Sequence, residues 1–306
     1  MPVAPFHNAF ILTGPTGAGK SALALTLAER LDAEIVCMDS MTLYRGMDIG
    51  TAKPSSDDRR RVPHHLLDIL DPWESASAAW WLRRAADCCR NIENRGRRVL
   101  FVGGTPLYLK ALLHGLFDGP PADQELRRRL AEDAERLGPS ALHARLAEVD
   151  PAGAARLHPN DVRRVVRALE VWQLTGRPIS AWQTQWQGQK ESSLSRPVLY
   201  LDPPRRQLYD RIDARVQRMI ADGLVGEVRS LRQAPRPLSR EAAQALGYKE
   251  LFDHFDGRVG LAETIVRIQT RTRRFAKRQL TWFHHLPDCI PVKDYLTFAA
   301  WGLTIS

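Results

Sequence analysis

The sequence predicts an α/β protein, a parallel-sheet core interrupted by an all-helical insertion domain. Three observations carry that expectation. Short continuous apolar runs alternate with amphipathic segments over the first hundred residues, the pattern of strands covered by helices on both faces. One run leads into Gly14-Pro15-Thr16-Gly17-Ala18-Gly19-Lys20-Ser21, a full-length G-x-x-x-x-G-K-[ST] phosphate loop. From about residue 120 to 190 the strand signal vanishes and helical spacing alone is left.

Taken in order, residues 9–13 (AFILT) form the first strand, and 20–31 (KSALALTLAERL) repeat apolar side chains at helical spacing. Residues 34–38 (EIVCM) read as a second strand, 76–93 as a helix, and 99–102 (VLFV) as a third strand running into Gly103-Gly104. The texture changes at Gly119-Pro120-Pro121. Helices are expected over 123–137, 140–148, 160–175 and 179–187, punctuated by Pro151, the HPN turn at 158–160 and Gly176-x-Pro178. A strand returns at 197–202 (PVLYLD). Helical patterns follow at 204–221, 224–233, 240–255 and 259–285, then a short apolar run at Cys289–Val292. The expected division is 1–119 for the first part of a P-loop nucleotide-kinase-like core, 120–195 for the insertion, and 196–306 for the rest of the core with a basic C-terminal helix.

Composition narrows the class. With 306 residues, 44% apolar and 26% charged, the chain can bury one large core or two moderate ones. No stretch approaches the ~18 apolar residues of a membrane span, and the opening MPVAPFHNAF lacks the pattern of a secretory signal. Cys37, Cys88, Cys89 and Cys289 form no C-x-x-C pair, which argues against a zinc ribbon or a disulfide framework and for a reduced, cytoplasmic setting. The adjacent pairs His64-His65 and His284-His285 have no partners at metal-ligand spacing. The net charge of +9 favours a polyanionic partner, although 37 of the 44 bases are Arg, as a G+C-rich genome would also produce.

The phosphate loop states its own chemistry. Its glycines let successive backbone N–H groups point inward at a helix N-terminus, Lys20 adds a mobile cation, and the Ser21 hydroxyl is placed to bind Mg²⁺. A di- or triphosphate is the expected ligand. Ligands of open α/β sheets bind beyond the carboxyl ends of the strands, where Asp39-Ser40 and Gly103-Gly104-Thr105 lie. An Asp ending an apolar strand fits Mg²⁺ support as well as it fits a general base, and spacing leaves both open. Thr105 before Pro106 is a normal helix cap, a role compatible with meeting a phosphate oxygen.

Basic residues fall into two groups. Arg267, Arg271, Arg274 and Arg278 share one face of the last long helix, widened by Arg273 and Lys277, while Ile265, Ile268, Thr272, Phe275 and Gln279 share the opposite one. From Arg258 to His284 there are seven Lys and Arg against one acid, Glu263, so an anion offsetting the repulsion is expected. Arg163, Arg164 and Arg167 form a second cluster in the insertion, with Arg127–Arg129 at its start. Basic faces in two distant segments suit a nucleic-acid track better than a single phosphate pocket. Trp182 and Trp186, one turn apart, read as core.

Motifs along nearly the whole chain resemble the tRNA dimethylallyltransferases, the bacterial enzymes that prenylate adenosine 37 beside the anticodon. They are GPTGAGKS (14–21), DSMTLYRGMDIGTAKP (39–54), PHHLLDILDP (63–72), VGGTPLYLKALL (102–113), LHPNDVRRVVRALEV (157–171), QALGYKEL (244–251) and TRRFAKRQLTWF (272–283). There are departures. Gly17-Ala18 stands where the family usually has Ala-Ser, removing a hydroxyl near the phosphates. Met41-Thr42 stands where Ala or Met is commonly followed by Gln, and the C-terminal zinc finger of eukaryotic relatives is absent.

The resemblance implies transfer of a dimethylallyl group from its diphosphate to adenine N6, with the phosphate loop and Mg²⁺ on the leaving diphosphate and Asp39 as the base. Thr105 and Arg215 would join the catalytic set, with Arg211 as a helper; helix-surface solvation is the other reading of both arginines. It also implies tRNA contacts at Asp39, Ser40, Met41, Thr42, Thr105 and Arg127. In the insertion these continue at Arg163, Arg164, Val165, Val166 and Arg167, and later at Gln244, Ala245, Leu246, Gly247, Tyr248 and Lys249. The last set is Lys277, Arg278, Gln279, Leu280, Thr281, Trp282, Phe283 and His284. The implied partners are the tRNA anticodon stem-loop and dimethylallyl diphosphate, without a membrane, for a monomer. A small-metabolite kinase with the insertion as lid would explain the loop but not the 267–278 stripe. An NTP-gated RNA-binding protein would leave Asp39 and Thr105 without a chemical role.

Overall fold

A computed structural model describes residues 6–117, 119–183, 194–292 and 295–303. The described residues divide into two compact units, one within 1–113 and 191–306, the other within 114–190.

The first unit opens with β1 (Phe10–Thr13), α1 (Lys20–Leu31), β2 (Ala33–Cys37), a short α2 (Ser56–Arg61), β3 (His64–His65), α3 (Ala78–Glu93), β4 (Arg98–Val102) and α4 (Pro106–His114). The second unit is helical: α5 (Gln124–Leu137), α6 (Pro139–Val149), α7 (Pro151–Ala154), α8 (Val162–Thr175) and α9 (Ile179–Trp182). The first unit resumes with β5 (Val198–Leu201), α10 (Arg205–Ala221), α11 (Leu224–Arg232), α12 (Tyr248–Phe255), α13 (Leu261–His284) and β6 (Cys289–Val292).

The strands form one sheet in the order β3-β2-β4-β1-β5-β6, every pairing parallel. Alternation across the pleat sends β1 side chains both ways. Ile11 joins Trp81, Phe101 and Tyr108 in one buried cluster. Phe10 and Leu12 join Leu27 and Leu31 of α1, with Phe298 and Trp301, in another. Both sheet faces are therefore covered, as continuous apolar strands require. Register sets the site: Val102 of β4 pairs with both Leu12 of β1 and Cys37 of β2, so three chains leave the sheet at one edge.

Two elements differ from expectation. The pair His64-His65 is strand β3, too short to show a period, and His65 Nε2 meets Glu34 Oε2 at 2.5 Å. The helical pattern 240–255 is broken into a 3₁₀ turn (Ala242–Gln244) and α12, because Gly247 adopts φ +90°, outside the helical region. The insertion has its own core, with Leu130, Leu142, Leu146, Val165 and Leu169 buried and Trp182 packed against them. Trp186 and the end of the 179–187 helix lie outside the described residues. Among the described residues no helix is long and apolar enough to cross a membrane, and no cluster of three or more His, Cys, Asp or Glu could hold a metal.

A candidate active site at the carboxyl edge of the sheet

The phosphate loop turns out of β1 with Gly14, Gly17 and Gly19 at φ +140°, +81° and +93°, conformations only glycine adopts without strain. Gly17 is also crowded, since a Cβ there would lie 2.8 Å from Ile212 Cγ1. The loop leads into α1, whose first-turn amides have no acceptor within the helix. Lys20 Nζ donates to the carbonyls of Gly14 (3.0 Å) and Pro15 (2.8 Å). A cleft opens against α10, lined by Gly17, Gly19, Lys20, Ser21 and Ala22 on one side and by Arg211, Ala214, Arg215 and Arg218 on the other. These arginines sit four and three residues apart on one helical face. Arg218 was missed by the sequence reading, although this spacing could have found it.

The charges in the cleft are coupled. Burial lowers the Lys20 ammonium from 10.5 to about 8, with Asp39 pulling it back up and Arg215 pushing it further down. Burial likewise pulls the Arg215 guanidinium below its usual value, opposed by Asp39. An arriving polyanion would relieve both cations.

Asp39 and Thr105 sit where the strand-end argument placed them. Asp39 Oδ1 accepts the Met41 N–H at 2.9 Å, which fixes the carboxylate at the start of the loop after β2. The Thr105 hydroxyl accepts the Ser40 N–H at 3.1 Å. Arg215 Nη1 reaches Thr16 Oγ1 at 3.4 Å. Gln279 of α13 joins two of these loops: its Oε1 accepts the Thr16 N–H at 2.9 Å and its Nε2 donates to the Gly104 carbonyl at 2.6 Å.

The loop 39–54 is held from outside. Glu227 of α11 accepts the amides of Asp48 (2.9 Å), Ile49 (2.8 Å) and Gly50 (3.2 Å), and the Tyr248 hydroxyl at 2.5 Å. Lys53, almost fully buried, donates to the Tyr44 carbonyl at 2.5 Å and bridges Asp48 and Asp68. Glu227 had no signal in the sequence, since its acceptor role depends on a loop 177–179 residues away along the chain.

The residues given as tRNA contacts differ in exposure. Val165 and Val166 face the core of the insertion, while Ala245, Tyr248 and Phe283 are buried in the sheet unit, so their side chains serve packing. Gln279 is 3% exposed and faces the phosphate loop, not the surface. Arg127 and Arg167 both clamp the buried Glu170 carboxylate, at 2.9 and 2.6 Å, so one of their two charges is balanced internally. Arg163 and Arg164 remain exposed, the latter 3.1 Å from Asp161. The stripe on α13 is no single-sign face either. Arg267 pairs with Glu263, Arg271 with Glu250 and Arg273 with Asp213, each within 2.7 Å. Arg274, Lys277 and Arg278 stay exposed at its far end, with Thr281, Trp282 and His284. Ser40, Met41 and Thr42 lie at the cleft-side start of the loop after β2, Thr42 buried; Gln244 is exposed and takes a hydrogen bond from Lys249 at 2.8 Å, and Leu246 and Leu280 are half-buried. The Ala18 methyl packs on Leu208, Ile212 and Ala276, so a hydroxyl at that position would face an apolar cluster rather than the phosphates.

The family model for IPP transferase matches residues 42–286. The chain belongs to the IPP transferase family. It is 50% identical over 283 residues to a tRNA dimethylallyltransferase of Geobacter metallireducens, covering 92% of this chain and 91% of the relative. A tRNA dimethylallyltransferase of Geobacillus thermodenitrificans is 49% identical, with 90% and 87% covered. Among solved structures, the tRNA isopentenylpyrophosphate transferase of Bacillus halodurans superposes with TM-score 0.66 at 39% identity, covering 97% of this chain and 94% of that one. A eukaryotic dimethylallyltransferase captured acting on tRNA gives TM-score 0.76 at 28% identity, with 95% and 75% covered. In this IPP transferase the matched segment includes α10, α13 and the insertion, but begins after the phosphate loop and Asp39.

Proposed function

We propose that this IPP transferase moves a dimethylallyl group from dimethylallyl diphosphate to N6 of adenosine 37 in tRNA, beside the anticodon, releasing diphosphate. Family membership supplies the coarser statement, prenyl transfer to tRNA. The finer reading rests on one observation: Lys20, Arg215 and Asp39 share one electrostatic neighbourhood at the carboxyl edge of the sheet. Two half-buried cations suit a departing diphosphate, and the carboxylate beside them suits an amine that must lose a proton.

In the reaction the C–O bond of the donor breaks as the C–N6 bond forms. The electron pair leaves with the diphosphate, and the N6 proton passes to the Asp39 carboxylate. Adenine N6 is a weak nucleophile because its lone pair is delocalised into the ring, so a positioned base contributes about 10²–10⁴-fold. Charge building on the leaving group is met by the first-turn amides of α1, by Lys20 and by Arg215, with Arg211 and Arg218 along the same cleft wall. The Thr105 hydroxyl, which accepts the Ser40 amide, is held beside the segment that carries Asp39. Hydroxyl and carboxylate oxygens fit Mg²⁺, which binds through few side chains plus substrate phosphates. Ser21, exposed in the cleft, would hold it with Asp39 in support, and the ion would neutralise diphosphate charge.

The adenine leaves the stack of the anticodon loop to reach Asp39, at a cost of a few kcal/mol offset by phosphate contacts. Arg163, Arg164, Arg274, Lys277 and Arg278 are the exposed bases suited to those contacts. The enzyme works as a cytoplasmic monomer in this reading. Incubation of purified protein and Mg²⁺ with unmodified tRNA and labelled dimethylallyl diphosphate tests it. Label on the RNA at adenosine 37 is the expected result. Unlabelled RNA, with ATP turned over on a small metabolite, would favour a kinase.

A further inference from the structure

We propose that Gln279 is a positioning residue that holds the phosphate loop and the end of β4 at a fixed separation, so that donor and acceptor meet in line. The proposal rests on the functional reading above and extends it to a residue of α13. Gln279 is 3% exposed, and both ends of its amide are used. Oε1 accepts the Thr16 N–H at 2.9 Å, and Nε2 donates to the Gly104 carbonyl at 2.6 Å. A planar group offering an acceptor and a donor side by side is what this gap requires, and a neutral carboxyl is its nearest substitute.

What lies on either side gives the contact its meaning. Thr16 carries the hydroxyl that Arg215 reaches at 3.4 Å, on the diphosphate side. Gly104 precedes Thr105, whose hydroxyl accepts the Ser40 amide next to Asp39. Gln279 is the side-chain link between these two hydrogen-bonded groups. The gap is closely fitted, since a Cβ on Gly104 would lie 2.6 Å from Gln279 Nε2 and 3.0 Å from the Gly14 carbonyl oxygen. One turn earlier on α13, Ala276 packs with Ala18 of the loop, Leu208 and Ile212, which anchors the helix at this point. Slack of about 1 Å between reacting groups can cost about 10²-fold in rate.

The test compares Gln279→Leu and Gln279→Glu with the parent enzyme. Three quantities are read: single-turnover prenyl transfer at saturating substrates, affinity for inorganic pyrophosphate with Mg²⁺, and affinity for unmodified tRNA. Gln279→Leu should slow transfer about 10²-fold and weaken pyrophosphate about 10-fold, with tRNA affinity within about twofold. Gln279→Glu should be impaired at about pH 8 and regain at least about fivefold relative to the parent on acidification to about pH 6, because the protonated carboxyl again donates to Gly104 while accepting from Thr16. Loss of tRNA affinity with saturated transfer unchanged would overturn the proposal in favour of direct RNA contact. Equal loss in both variants without pH rescue would also overturn it, in favour of a purely packing role. Should Gln279→Leu fail to fold, the pH response of Gln279→Glu decides. If the parent transfers no prenyl group, the functional reading fails, and the pyrophosphate measurement still decides this proposal: an unchanged affinity in Gln279→Leu sinks it.

Discussion

Thr105 and Ser40 tie together the ends of two neighbouring strands: the Thr105 hydroxyl accepts the Ser40 amide at 3.1 Å, one residue from Asp39. Parallel strands β2 and β4 thus deliver a carboxylate and a hydroxyl to one edge, where the hydroxyl contact adds to the backbone bond from the Thr105 N–H to the Met38 carbonyl at 3.3 Å. Thr105→Val keeps the shape and removes the acceptor, leaving a part-buried N–H unpaired at about 1–3 kcal/mol. Single-turnover transfer should fall about 10–10²-fold, whereas Thr105→Ser should stay within about threefold. Equal rates in the two variants would show that the contact is idle.

Lys20 makes diphosphate binding sensitive to pH. Its ammonium sits at about 8 in the free protein, lowered chiefly by burial. A bound polyanion raises it, so above about pH 8 binding takes up a proton and affinity falls, by up to about tenfold per pH unit. Pyrophosphate titrations between about pH 7 and 9.5 should show that decline beyond the ligand's own ionisation, and Lys20→Met should flatten it. The sign is opposite for stability without ligand. The unfolded chain binds more protons than the folded one between about 8 and 10.5, so stability rises with pH across that window.

Arginines of α13 divide into structural and solvent-facing sets, and their variants should separate. Arg271 pairs at 2.7 Å with Glu250, a carboxylate only 2% exposed that also accepts the Gly247 amide. Arg271→Ala should cost about 1–3 kcal/mol, read as a lower melting temperature. Lys277→Ala should leave stability unchanged and reduce the slope of log affinity for tRNA against log salt by about 0.7–1. A salt slope that changes for Arg271→Ala and not for Lys277→Ala would reverse the division.

The site was legible in the sequence where it is contiguous or obeys a topological rule. The phosphate-loop motif is eight contiguous residues, and Asp39 and Thr105 followed from strand ends meeting at one sheet edge. What the chain brings together from far apart was not legible. Helical periodicity gives Gln279 a face but not the Thr16 amide that covers it. It gives Arg271 and Arg273 a basic stripe, while Glu250 and Asp213, which neutralise them, stand on other helices. Arg127 and Arg167 looked like part of a cationic patch because spacing does not show that both reach the buried Glu170 carboxylate, which for Arg127 lies 43 residues away. Strand β3 is two residues long and carries no period at all.

The account stands on Asp39 acting as the base. Asp39→Asn keeps the oxygen that accepts the Met41 amide at 2.9 Å, so the loop after β2 stays in place and only the proton acceptor is lost. Single-turnover prenyl transfer to tRNA should then fall about 10²–10⁴-fold, while Mg²⁺-dependent pyrophosphate affinity stays within about threefold of the parent. A rate left unchanged, or a loss that tracks collapse of metal-dependent pyrophosphate binding, would contradict it.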